Sequence, residues 1–330
     1  MTPWNDRVRR RLKLRDVDVL LAVVETGSMG KAAAILGMSQ PAVSKAIASL
    51  EHTLGVQLLD RSRRGVEPTS SGHALVKRGA AMFDELRQGV QDIDFLTDPT
   101  AGEVRVGGSD AVVSAFFSPV IHQLSERHPR MSFRVIVGDL RALYQELEAR
   151  RIDVGVSRLY GPPSEEYSAE VLIEDPLVVV TGPNNPMVRR RKIEIAELLD
   201  QPWALQPSDN NFGAFAMDAF RVLGLAPPRI TVATTSHSLR AELLAAGYLT
   251  MAPRFWVLLP RPNPSLKVLP VAFPHTRHKV AIITLKNRSL SSATRLFLDR
   301  LRAIAKPLAN KNQSVSQMAA RPGNPSKSPA

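Results

Sequence analysis

Three features of the 330-residue sequence predict an N-terminal winged helix-turn-helix, a long linker helix and a C-terminal two-lobed α/β domain. Short helical periodicities separated by glycines fill residues 14–54. An Arg-bearing alternating segment and then a long apolar stripe follow, to about residue 98. Beyond residue 99, β-rich runs alternate with helical patterns.

Val17, Leu20, Leu21 and Val24 line one face of a first amphipathic helix, which Gly27 breaks. Ser28 is placed to cap a second helix carrying Ala32, Ala33, Ile35 and Leu36, and Gly37 ends it. Ser39 is a good N-cap for a third, with Pro41 near the first turn, where a missing N–H costs nothing. Val43, Ile47 and Leu50 form its buried stripe. The segment GVQLLDRSRRGVEPT alternates apolar and polar residues around an Arg-rich turn and Gly65, the pattern of a two-stranded wing. Ser70 or Ser71 can cap the helix that runs to about Thr97. Leu75, Met82, Leu86, Ile93 and Leu96 repeat at three- and four-residue spacing, with Gly79 and Gly89 on the same seam. Such a stripe serves equally as a coiled-coil contact between chains or as packing on the helix's own domain. Asp98, Pro99 and Gly102 mark a hinge.

In the remainder, VRVGG, FRVIV and DVGVS are strands separated by helical runs, and helical crossovers imply a parallel sheet. PLVVVT, PWALQ and ITVAT form a second set. HKVAIITLK and the helix SSATRLFLDRLRAIA then return to the character of the first. The expected organisation is a basic extension at 1–13, the winged helix-turn-helix at 14–70, the linker and dimerisation helix at 71–98 and the α/β domain at 99–305. Its first lobe covers about 103–165 and 277–305, and the second, inserted lobe about 166–276. The tail at 306–330, rich in Ser, Asn, Pro and Lys, reads as disordered.

The net charge of +12 points to a polyanionic partner, although a solubilising surface produces the same total. Its distribution favours the N-terminus: residues 1–80 hold 13 Lys and Arg against 7 Asp and Glu. Arg7, Arg9, Arg10, Arg11, Lys13 and Arg15 crowd together there, as an arm for phosphate contacts or as a solvated tail. Neither a signal-peptide pattern nor an apolar run long enough for a membrane span is found, so a cytoplasmic protein is expected. The lack of cysteine excludes disulfides and thiolate chemistry. The seven histidines show no paired metal spacing, and no Gly-x-Ser-x-Gly elbow or P-loop occurs, so no catalytic site, metal or cofactor is expected.

Two short helices joined by a tight Gly-containing turn make a helix-turn-helix, whose second helix can enter the major groove. A ligand-free three-helix bundle is the alternative for a generic helical trio. Gln40, Ser44 and Lys45 occupy the non-core positions of the second helix and match adenine, either base and guanine respectively. Ser39 and Pro41 lie at its N-terminus, with Arg15 and Ser28 on the preceding elements. Arg61, Arg63 and Arg64 at the wing tip would reach phosphates or the minor groove.

The stretch from Leu14 to Gly72 resembles, without a gap, the N-terminal domain of LysR-type transcriptional regulators. The shared features are the small-residue-rich second helix, Ser-Gln-Pro-Ala-Val-Ser at 39–44, Leu-Glu-x-x-Leu-Gly at 50–55, the Arg-bearing wing and Thr-x-x-Gly at 69–72. Met29 and Leu59 stand where the family usually carries aromatics. Residues 103–305 are similar to the family's effector domain, which has the fold of periplasmic solute-binding proteins. The resemblance implies a homodimer or homotetramer binding double-stranded DNA, a small-molecule effector and contact with RNA polymerase. One subgroup of the family controls genes of sugar-binding proteins, and the sequence is compatible with it.

In two-lobed α/β domains ligands sit at the carboxyl ends of strands. The candidates there are Ser109, Asp110, Gly138, Asp139, Ser157 and Arg158 from the first lobe and Gln206, Ser208, Thr234, Thr235 and Ser236 from the second. Ser109, Asp139 and Ser236 serve equally as helix caps. The acids and hydroxyls suit a sugar, and Arg158 suits a small organic acid. The rival reading is a cytoplasmic solute-binding or enzymatic α/β domain whose helical N-terminus only dimerises it.

Overall fold

A computed structural model describes residues 11–62, 65–259, 265–271, 273 and 275–319. The chain divides into two compact units, one through Val90 and one from Gln91 onward.

In the first unit, helices α1 (Leu14–Thr26), α2 (Met29–Ile35) and α3 (Gln40–Leu54) precede the hairpin of β1 (Leu59–Ser62) and β2 (Gly65–Pro68). Left-handed Gly27 and Gly55 end α1 and α3, a conformation in which a Cβ is strained. The Ser28 and Ser39 hydroxyls accept the Lys31 and Ala42 amides, capping α2 and α3. Val17, Leu20, Val23, Val43, Ile47, Leu50 and Leu58 fill one core, joined by Met29 and Leu59. These last two bury apolar volume where the family has aromatics.

Helix α4 (Ser70–Thr97) is capped by Thr69, not by Ser70 or Ser71. The Thr69 hydroxyl accepts the Gly72 amide and donates to the Gln57 carbonyl, so one side chain both starts the helix and holds the wing strand. A Cβ on Gly72 would stand 2.0 Å from the Leu58 carbonyl oxygen, which explains glycine at this position. The expected seam divides along α4. Leu75 and Met82 pack into the first core, with Gly79 against Val17, whereas Leu86, Ile93 and Leu96 are exposed.

The second unit carries a five-stranded sheet in the order β4-β3-β5-β12-β6. Strands β3 (Ala101–Gly108), β4 (Arg130–Val137) and β5 (Val154–Arg158) are parallel, as the crossovers require. Between β3 and β4, α5 (Asp110–Val112), a π-helical turn at Val113–Phe117 and α6 (Ser118–Arg127) follow one another directly. Helix α7 (Leu140–Glu148) links β4 to β5. The sheet as a whole is mixed, which corrects the parallel expectation: β12 (His278–Leu285) runs antiparallel to β5 and to β6 (Tyr167–Asp175).

Strand β6 thus belongs to the first lobe, so the lobe boundary lies after Asp175 and not at 166. The pattern of β6 is hard to read because it forms a sheet edge with exposed polar positions and exposed Val171. Asp92 near the end of α4 accepts both the amide and the hydroxyl of Ser292. Helix α11 (Ser292–Ala319) continues beyond Lys306 through Pro307, so the tail expected to be disordered is helical up to Ala319. Proline lacks an N–H but leaves the apolar face intact, and Leu308 and Ala309 still pack on the lobe core.

The second lobe centres on β7 (Leu177–Thr181), flanked by β10 (Thr250–Pro253) and β11 (Lys267–Val268), both antiparallel. Next to it β8 (Trp203–Leu205) pairs in parallel with β9 (Ile230–Ala233). Helices α8 (Asn211–Arg221), α9 (His237–Ala245) and α10 (Arg254–Leu258) complete the lobe. Its core is built on Val179, Trp203, Leu205, Phe220, Leu249 and Met251.

Candidate reading head and ligand cleft

Burial of Val43, Ile47 and Leu50 turns the opposite side of α3 to solvent, leaving Gln40, Pro41 and Lys45 exposed and Ser44 half-buried. Ala48, Ser49 and His52 extend the same exposed surface and were not among the candidates. The Glu51 carboxylate accepts the amides of Leu58 and Leu59 at 2.8 and 3.3 Å, tying the wing to α3. Arg15 on α1 and Arg61 on β1 are exposed. Ser28 and Ser39 are engaged as caps, and Arg63 and Arg64 lie outside the described residues.

In the second unit a cavity of about 540 Å³ opens between the lobes. Ser109, Asp110, Gly138, Asp139, Ser157, Arg158, Gln206 and Thr235 line it. Three candidates do not. Ser208 is exposed, the Thr234 hydroxyl accepts the Ser236 amide, and the Ser236 hydroxyl accepts the Leu239 amide as the cap of α9. The last two are local loop and capping bonds, which a sequence pattern does not separate from ligand contacts.

Ser109 behaves differently. It precedes α5 without capping it through its side chain, so its hydroxyl is uncommitted to the helix. The Asp139 carboxylate accepts the Ala142 amide at 2.8 Å and caps α7. Asn210 accepts the Gly213 amide, and a Cβ on Gly213 would stand 2.0 Å from the Pro207 carbonyl oxygen, so glycine lets α8 begin at the cavity edge.

Several lining residues were not anticipated: Tyr160, Asn210, Phe212, His237, Arg240, Thr250 and Trp256. His237 and Arg240 had a signal, because they lie on the first turn of a helix whose cap was already singled out. Thr250 had none, since β10 is short and its pairing with β7 is remote in sequence.

The charged groups of the cleft are unusual. Arg158 is 5% exposed; its Nη1 donates to the Asp175 carbonyl at 2.9 Å, while Nη2 stands 3.6 Å from the Asp175 carboxylate. Burial pulls the Arg158 pKa down, against the attraction of Asp175. Burial also pushes the Asp175 carboxyl up to about 7, although Arg158 and the Phe255 amide favour its charged form. Across the cleft His237 Nδ1 lies 2.8 Å from Asp110 Oδ2 and 3.1 Å from Arg240 Nη2. Burial lowers the pKa of both His237 and Arg240. Tyr160 is pushed up to about 12, chiefly by burial.

An exposed helix-turn-helix surface and a two-lobed cleft define a DNA-binding transcription regulator with an effector-binding domain. Residues 14–73 match the family model described as "Bacterial regulatory helix-turn-helix protein, lysR family", and residues 97–306 match "LysR substrate binding domain". The chain belongs to the LysR family of transcriptional regulators. It is 29% identical over 306 residues to the HTH-type transcriptional regulator GbpR of Azospirillum brasilense, covering 91% of this chain and 89% of that one. It is 24% identical to the transcriptional dual regulator GltC of Bacillus subtilis (strain 168), over 87% and 96% of the two chains. A full-length OxyR variant from Pseudomonas aeruginosa shares the fold with a TM-score of 0.65 at 21% identity, over 90% of this chain and 97% of that one. No helix among the described residues is long and apolar enough to cross a membrane.

Proposed function

We propose that Gln40, Ser44 and Lys45 read base edges in the major groove while Arg15, Arg61, Arg63 and Arg64 contact phosphates or the minor groove. The observation that carries this reading is the exposed surface of α3, held in place by its buried stripe and by the Glu51 bonds to the wing. Each good base contact contributes roughly 1–3 kcal/mol of discrimination. Two copies joined through the exposed stripe of α4 would present recognition helices about one DNA turn apart, roughly 34 Å. Pairs of dimers would give a tetramer.

The cleft then holds a small-molecule effector, a sugar or a small organic acid. Effector binding closes the lobes and changes the spacing or bend of the bound DNA, and so the access of RNA polymerase. The protein in this reading regulates transcription in the cytoplasm and catalyses nothing.

A footprint on the DNA upstream of its own gene, with and without sugars and acids, tests the reading. Protection of an interrupted palindrome that shifts with one compound is expected. Absence of protection even at low salt, where phosphate contacts are strongest, would remove the proposed interface.

A further inference from the structure

We propose that Asp110 is a specificity-determining residue of the cleft: a carboxylate of the protein itself fills the corner where His237 and Arg240 would otherwise receive an anion, and so ties the two lobes. This rests on the cleft being the effector site and says what that site turns away.

Asp110 leads α5 in the first lobe, whereas His237 and Arg240 lie on the first turn of α9 in the second. Their spacing puts both on one face of that helix. Asp110 Oδ2 stands 2.8 Å from His237 Nδ1, and a carboxylate only accepts, so Nδ1 carries the proton and donates it. Arg240 Nη2, 3.1 Å from the same nitrogen, then acts there through its charge. Arg240 is buried, and burial lowers its pKa while the Asp110 carboxylate opposes the shift. A buried cation deprived of its counter-charge is costly. Asp110 thus does for Arg240 what a bound anion would do.

The rest of the lining has no cation to spare. Its other arginine, Arg158, lies against Asp175, and Asp139 adds a second acid. An acidic group entering beside Asp110 would meet like charge in a half-sheltered space. The Asp110 side chain is still 41% exposed, so its remaining lone pairs are open to an effector group that donates hydrogen bonds.

Chemical rescue of the full-length protein tests this, with sodium formate compared against sodium chloride at equal ionic strength. Asp110→Ala is expected to lower the melting temperature by at least about 3 °C, and formate, but not chloride, to restore most of the loss. The wild type should respond alike to both salts. Adding Arg240→Gln to Asp110→Ala should abolish the rescue. Should Asp110→Ala fail to fold, Asp110→Asn and His237→Phe carry the comparison: each should melt low, and the two together little lower than either alone. A formate response equal in wild type and variant, a folded Asp110→Ala without rescue, rescue that survives Arg240→Gln, or additive losses in the Asn and Phe pair would each overturn the assignment. None of these measurements uses an effector, so they can fail while the effector reading stands.

Discussion

Asp175 shows how one buried side chain couples the cleft to the join between lobes. It ends β6, accepts the Phe255 amide and lies beside Arg158, all within the first residues of the crossover. Its carboxyl is raised from 3.8 to about 7, chiefly by burial. The protonated form is therefore favoured by folding, so its contribution to stability is fully present below about pH 3.8 and is lost as pH rises through about 7. Asp175→Asn, which keeps an acceptor for the Phe255 amide, should remove that dependence. The melting temperature of the wild type minus that of the variant is expected to fall as pH is raised across this window. A constant difference would mean that Asp175 stays ionised in the folded protein.

The linker helix behaves as two different elements joined end to end. Its first half is ordinary core, with Leu75, Val76, Met82 and Phe83 packed on the helix-turn-helix. Its second half leaves Leu86, Val90, Ile93 and Leu96 exposed, at 50%, 57%, 64% and 80%. In the dimer proposed above, this exposed stripe would lie between the two chains. Burying one Leu or Ile side chain stabilises by roughly 1.5–3 kcal/mol, and a symmetric dimer loses that contribution twice. Leu86→Asp together with Ile93→Asp should yield monomers in light scattering and weaken binding to a palindromic operator. Dimers that survive both substitutions would place the interface elsewhere.

At the scale of the whole molecule, two lobes share two crossings, one at Asp175–Leu177 and one between Leu269 and His278. The Asp110–His237 contact spans the cleft between them. Closure on a ligand should therefore be felt at the crossings as well as in the cavity. With the compound that shifts the footprint, amide hydrogen exchange is expected to slow at Asp175, Leu177 and residues 278–280. Unchanged exchange there, with the compound bound, would exclude lobe closure as the signal.

Local chemistry made much of this fold legible in the sequence. Caps at Ser28 and Ser39, left-handed glycines at 27 and 55, and the apolar stripes of α1 and α3 are decided by residues within a few positions of one another. Those short-range rules were enough for the helices of the helix-turn-helix and for eight of the residues lining the cleft. The remainder depends on partners far apart in the chain. The antiparallel β12 joins β5 to β6, β10 pairs with β7 across some seventy residues, and the stripe of α4 divides only once the first unit packs against half of it. Whether a hydroxyl such as that of Ser236 caps a helix or faces a cavity is settled by the same long-range packing. Sequence alone determined a helix-turn-helix and a two-lobed domain, because both follow from periodicity and capping, whereas the DNA-binding role came from the resemblance of residues 14–72 to LysR-type regulators. Tertiary structure alone decided that His237 and Arg240 face Asp110 and that Arg158 is buried with a hydrogen bond unmade, because burial is a property of the assembled surfaces and not of any one segment.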